Sequence, residues 1–159
     1  MGLTLLALAG CGGGGGGAPA VRAVDGDGYT FSAPADWLVA RSGQKVQASD
    51  GLKLVSVTRY PLLRRYRPAL WARVVPELDR AATQLAKQQN GRVGNSRTVT
   101  IGGEQARRYD IDYERNGKAL VERIAFVLRG KTEYLLLCRY DRGGDTDACD
   151  RLLATFTLG

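Results

Sequence analysis

Residues 105–137 read QARRYDIDYERNGKALVERIAFVLRGKTEYLLL, and the fold is decided there. Asn116-Gly117 lies between two runs rich in Tyr, Ile, Val and Phe. A two-residue type I′ hairpin turn needs left-handed backbone at both central positions, and Asn-Gly is the pair that supplies it most readily. Such a loop sets the register, because side chains alternate between faces with period two. Tyr113 then falls opposite Leu120, Tyr109 opposite Ile124, and Asp110 opposite Arg123 as a cross-strand charge pair on the other face. Residues 120–128 and 134–137 are apolar on both faces. That pattern predicts central strands in a sheet covered on both sides.

Outward from this hairpin, Gly102-Gly103 joins a strand over residues 97–101 to the strand over residues 105–113. Upstream, Leu70, Trp71, Val74, Val75, Leu78, Ala82 and Leu85 follow the i, i+3, i+4 spacing of an amphipathic helix, opened by Pro68 and closed by Gly91. Pro76 lies inside it without an N–H to donate, which predicts a kink or two shorter helices. Strands are expected over residues 29–31, 38–40, 44–49 and 52–60, the last two turning at Asp50-Gly51, as one meander. A final helix over residues 145 to about 155 is expected to take Asp145 as its cap and to carry Cys149, Leu152, Leu153 and Phe156 on adjacent turns. The expected class is α+β, an antiparallel sheet covered by helices on both faces.

The N-terminus has a different character. Residues 3–9 are apolar, too short for a membrane span of about 20 residues, and run into Leu8-Ala9-Gly10-Cys11. Small residues before a cysteine are the cleavage pattern of bacterial lipoproteins, in which the Cys11 sulfur carries the lipid. No Lys or Arg precedes Arg22, which suggests a start codon assigned too far downstream. Residues 1–10 are thus expected to be a signal peptide. Residues 11–26, with glycines at 12–17, would form the lipidated cysteine and a flexible tether of roughly 20 Å. Residues 27–159 would form a single domain, on the outer face of the bacterial cytoplasmic membrane.

The chain carries 23 Lys and Arg against 16 acids, a net charge of +7, and no histidine. Without histidine there is no Ser-His-Asp triad, no Cys-His pair and no His-coordinated zinc. Cys138 and Cys149 form an even pair in a chain expected to be exported, and are predicted to be disulfide-bonded.

Arg59, Arg64, Arg65, Tyr66, Arg67 and Arg73 cluster with Tyr60, Leu62, Leu63 and Trp71, and arginines interleaved with aromatics suit an anionic partner. The plainer alternative is a solvated loop in which Leu62 and Leu63 pack. Asp110, Asp112 and Glu114 alternate on one strand and are expected to pair with Arg108 and Arg123. Asp141, Asp145, Asp147 and Asp150 read as caps and first-turn acids, since no calcium-loop spacing is present. Glu122 falls beside Ile111 on the apolar face, where a carboxylate needs an arginine or a polar pocket. No catalytic residue, metal ligand or cofactor motif is assigned, and nucleic-acid motifs are absent.

The order of elements resembles the PsbP-like lipoproteins of high-GC Gram-positive bacteria. The resemblance rests on Phe31-x-x-Pro34-x-x-Trp37, residues 100–106 (TIGGEQA) and Ala154-Thr155-Phe156. Such a resemblance implies an α/β/α sandwich, shared with an extrinsic photosystem II subunit and a Ran-binding import factor, both binding proteins. The Pro76 kink departs from the family pattern, and the family offers no catalytic motif to transfer. The expected function is therefore a membrane-anchored, monomeric, non-enzymatic binding or structural module of the cell envelope. It would dock an envelope protein or an apolar or anionic ligand between sheet and helix. The alternatives are a hydrolase acting on envelope material and an anionic-lipid or wall-polymer binding protein.

Overall fold

A computed structural model describes residues 19–159. The signal segment (residues 1–10), the lipidation site Cys11 and the glycine run (residues 12–17) lie outside the described residues.

Seven strands form the main sheet: β3 (Leu38–Ser42), β4 (Lys45–Asp50), β5 (Lys53–Pro61), β6 (Arg92–Ile101), β7 (Glu104–Arg115), β8 (Lys118–Arg129) and β9 (Thr132–Asp141). Their spatial order is β3-β4-β5-β9-β8-β7-β6, antiparallel throughout. β9 therefore closes the second meander onto the first and sits at the centre, with β8 beside it. The Asn116-Gly117 turn has positive φ at both residues, 53° and 73°. Tyr113 faces Leu120, Tyr109 faces Ile124 and Asp110 faces Arg123, as the two-residue loop requires.

Alternate residues of the central strands feed two cores. On one face Ile124, Phe126, Leu135, Tyr109 and Ile111 pack against helix α1 (Trp71–Gln88) through Leu78, Ala82 and Ala86. On the other face Val127, Leu136, Val55 and Val57 pack against Phe31, Ala33, Leu152 and Phe156. A three-stranded sheet of β1 (Val21–Gly26), β2 (Tyr29–Pro34) and β10 (Thr157–Leu158) covers this second face together with the short helix α2 (Asp147–Thr155). The Cys138–Cys149 disulfide ties α2 to β9, with Cα atoms 5.4 Å apart.

Several expectations are corrected. The second face is covered by the small sheet together with α2, not by helices alone. The tether was expected to reach Gly26, yet residues 21–26 are strand β1, paired along its whole length with β2 through the Asp27-Gly28 turn. Its only buried side chain is Val24, so its composition reads as linker. The strand over residues 29–31 does not join the meander but belongs to the small sheet. The β4–β5 turn residues are Gly51-Leu52, one position later than expected, with Gly51 at φ 57°. α1 runs unbroken through Pro76 after a 3-10 turn at Pro68–Leu70. Pro76 and Ala72 are both exposed, so the carbonyl that loses its N–H partner can turn to water.

The strand directions define two poles. The chain enters at the pole where Val21 pairs with Pro34. The opposite pole gathers the Asp27-Gly28 turn, the Gly43-Gln44 turn, the loop over residues 62–67, the Gly130-Lys131 turn and the start of α1.

Candidate functional site

At the pole opposite chain entry, Pro61 ends β5 and Pro68 opens the 3-10 turn, leaving residues 62–67 as a loop between two residues that cannot donate a backbone hydrogen bond. The loop is stitched to the β8–β9 turn. The Leu62 N–H donates to the Lys131 carbonyl at 2.9 Å, and the Tyr66 N–H donates to the Gly130 carbonyl at 2.7 Å. Tyr66 is buried, and burial pushes its phenol up from the usual range, with the Glu104 charge adding to it. It lines a mostly apolar cleft of about 270 Å³ with Leu62, Leu70, Val74, Leu78 and Leu128. Arg64 and Arg65 line the same cleft, and so does Glu133, whose carboxyl is raised by burial.

The cationic cluster divides. Arg64, Arg65, Arg67 and Arg73 are exposed, and none of the described ion pairs includes them. Arg59 instead pairs with Asp27, bracing the β1–β2 turn against β5, and its side chain is only 25% exposed. Tyr66 supports the loop from beneath and is largely buried. The sequence places Leu63 in the cluster, with packing as its alternative, and does not place Lys131 there. Leu63 does not pack but is fully exposed (101%), and Lys131 comes from the β8–β9 turn. A signal for Leu63 existed: of two adjacent leucines in a loop laid on a turn, only one can face inward.

Asp110, Asp112, Asp145 and Asp150 of the acidic sets are used by the fold. Arg123 Nε meets Asp110 at 2.8 Å and its Nη1 meets Asp150 of α2 at 3.0 Å, while Arg108 meets Asp110 at 3.4 Å. Arg142 pairs with Asp112 at 3.3 Å. The Asp145 carboxylate accepts the Asp147 N–H at 2.8 Å, so it caps α2 from one residue before the N-cap, Thr146. Glu122 is 3% exposed and fully satisfied. It accepts from Arg139 Nη2 at 2.7 Å, Arg139 Nε at 3.0 Å, Tyr113 Oη at 3.2 Å and Gln89 Nε2 at 2.6 Å. Burial and the Glu122 charge push the Tyr113 phenol up to about 12. These four groups lock the C-terminal end of α1 to the sheet.

At the entry pole a second depression of about 210 Å³ lies between Trp37, Tyr140, Lys53, Asp145 and Arg151. Its charges are mixed, unlike the cationic pole.

No protein-family model and no curated protein matches the sequence. Among solved structures, cyanobacterial PsbP from Synechocystis sp. PCC 6803 superposes with a TM-score of 0.61 at 13% identity, over 96% of this chain and 99% of that one. The fold is PsbP-like. A crystal structure from Bacteroides thetaiotaomicron VPI-5482 superposes with a TM-score of 0.62 at 12% identity over 89% of this chain, which spans about half (48%) of that one. LpqN of Mycobacterium tuberculosis, involved in cell envelope biogenesis, gives a TM-score of 0.49 at 13% identity over 87% of this chain and 90% of that one. In this PsbP-like domain the loop over residues 62–67 brings the most exposed leucine among the described residues together with arginines that belong to none of the described ion pairs.

Proposed function

We propose that the chain is a membrane-anchored extracytoplasmic binding module of the cell envelope, held by a lipid on Cys11 and working as a monomer without chemistry of its own. One observation carries the binding role: a fully exposed leucine beside exposed arginines that belong to none of the described ion pairs, on a loop hydrogen-bonded to the β8–β9 turn. Isolated surface leucines are ordinary, but this one lies beside half-exposed Tyr60 and above an apolar cleft, within a cationic rim. The Cys138–Cys149 disulfide supports the compartment, since such bonds persist where conditions are oxidising.

The anchoring reading is tested by metabolic labelling with palmitate in a bacterial host, followed by membrane fractionation and a high-salt wash. Label is expected in the parent chain and absent from Cys11→Ser, which should leave the washed membrane fraction. Equal retention of both chains after the wash would sink the lipid anchor.

A further inference from the structure

We infer that the loop over residues 62–67 docks on an anionic phospholipid bilayer, with Leu63 entering the interface and Arg64, Arg65, Arg67 and Lys131 meeting lipid phosphates. The inference deepens the binding reading above by naming the surface bound.

Three features lead to it. Leu63 is completely exposed, and the backbone on both sides of it is fixed by the hydrogen bonds of Leu62 and Tyr66 to the β8–β9 turn. The side chain is therefore presented outward by a braced loop. Second, the cations beside it have no carboxylate partner among the described ion pairs, whereas Arg59, Arg80 and Arg129 at the same end of the molecule are paired with Asp27, Glu77 and Glu104. Arginine and lysine carry apolar stems under a charged head, which suits the boundary between headgroups and acyl chains. Third, the acids nearest the loop do not cancel its charge. Glu77 is engaged with Arg80, and Glu133 lies in the cleft below the loop rather than on its exposed face. A polyanionic polymer would engage the arginines alike but would have no use for Leu63.

The geometry permits this contact alongside a Cys11 anchor. Ten residue steps separate Cys11 from Val21, a contour of at most about 35 Å. β5 has nine residues, so the two poles lie about 30 Å apart. A domain standing on its cationic pole keeps its entry pole within reach of a lipid in the same leaflet.

The test uses the chain from Gly12 onward, which carries no acylation site and retains every described strand and helix. Co-flotation is measured with vesicles of equimolar phosphatidylcholine and phosphatidylglycerol, and with vesicles of phosphatidylcholine alone. Binding is expected on the anionic vesicles only, and should weaken as salt is raised. Each of Arg64→Gln, Arg65→Gln and Arg67→Gln should weaken it about fivefold, and the three together roughly a hundredfold. Leu63→Asp should weaken it by about tenfold or more. Leu38→Asp, at another exposed leucine (73%) near the entry pole, should leave it unchanged. Far-UV circular dichroism checks that each variant is folded. No flotation at low salt, equal binding to both vesicle types, or full binding by Leu63→Asp would overturn the proposal. Because this chain has no Cys11, failure here leaves palmitate labelling untouched. Conversely, flotation here with no label in cells would support the docking loop and overturn the anchor.

Discussion

Glu122 shows what a single buried charge demands. Its carboxylate is 3% exposed, and Arg139, Tyr113 and Gln89 together saturate it. Replacing Arg139 by Met leaves that charge buried against Tyr113 and Gln89 alone, which should cost about 3–5 kcal/mol in urea unfolding. The double variant Glu122→Leu, Arg139→Met should recover most of the loss; a double variant as unstable as the single one would show that packing, not charge, dominates the site. Glu133 runs the other way. Burial raises its carboxyl, and the described ion pairs give it no cation. A raised acid stabilises the fold fully below the ordinary glutamate range, and that contribution is lost as pH climbs through the raised folded value. Glu133→Gln should therefore melt above the parent at neutral pH and level with it in acid, as thermal melts across pH would report. A constant difference at every pH would refute this. The partner of Glu122 was within reach of sequence reading. Counting back across the Gly130-Lys131 turn from Arg129 opposite Thr132 places Glu122 opposite Arg139. The emptiness around Glu133 was not within reach, because it depends on how the loop over residues 62–67 and the start of α1 close over the sheet.

Elements with strong local signals were read correctly, and those whose identity depends on distant partners were not. Gly102-Gly103 and Asn116-Gly117 impose left-handed backbone at sites only such residues accept readily, so the joins of β6 to β7 and of β7 to β8, and the β7–β8 register, followed from turn chemistry, whereas β6 begins at Arg92, five residues before the expected Arg97. β1 has no such pattern: it earns its place through six backbone pairs with β2 and the burial of Val24. α1 was legible in its face but not in its continuity. Leu78, Ala82 and Ala86 recur every fourth residue, and the small alanines let the helix approach Tyr109, Ile111 and Phe126 closely. Asp79 then pins it, accepting from Tyr109 Oη at 2.6 Å and Arg107 Nε at 3.1 Å. These tertiary contacts hold the helix through Pro76 against its local preference. Pro76→Ala should restore a hydrogen bond to the Ala72 carbonyl, offset partly by a looser unfolded chain, for a net gain of about 2 kcal/mol. Chemical denaturation checks this; unchanged or reduced stability would mean that the proline ring itself is packed.

At the scale of the molecule, one central sheet serves two cores, and the layers over its two faces are held differently. α1 is pinned by side chains of neighbouring strands, whereas α2 and the small sheet depend on contacts far apart in sequence: Phe31, Leu152 and Phe156 against β5, β8 and β9. A covalent link is most useful on that second layer, and Cys138–Cys149 supplies it where β9 meets α2. The bond spans eleven residues, and closing a loop of that size stabilises by about 3 kcal/mol in the chain-entropy view. Asp150 to Arg123 is the remaining ionic tie between α2 and the sheet among the described pairs, and Asp150 is largely exposed, so it compensates weakly. Reduction should therefore lower the denaturation midpoint by the equivalent of about 3 kcal/mol with little change in slope. Amide exchange should quicken first in α2 and β10, while α1 and β7 remain protected. Uniform loss of protection across both faces would mean that the two cores unfold as one unit and that the disulfide stabilises the whole sheet.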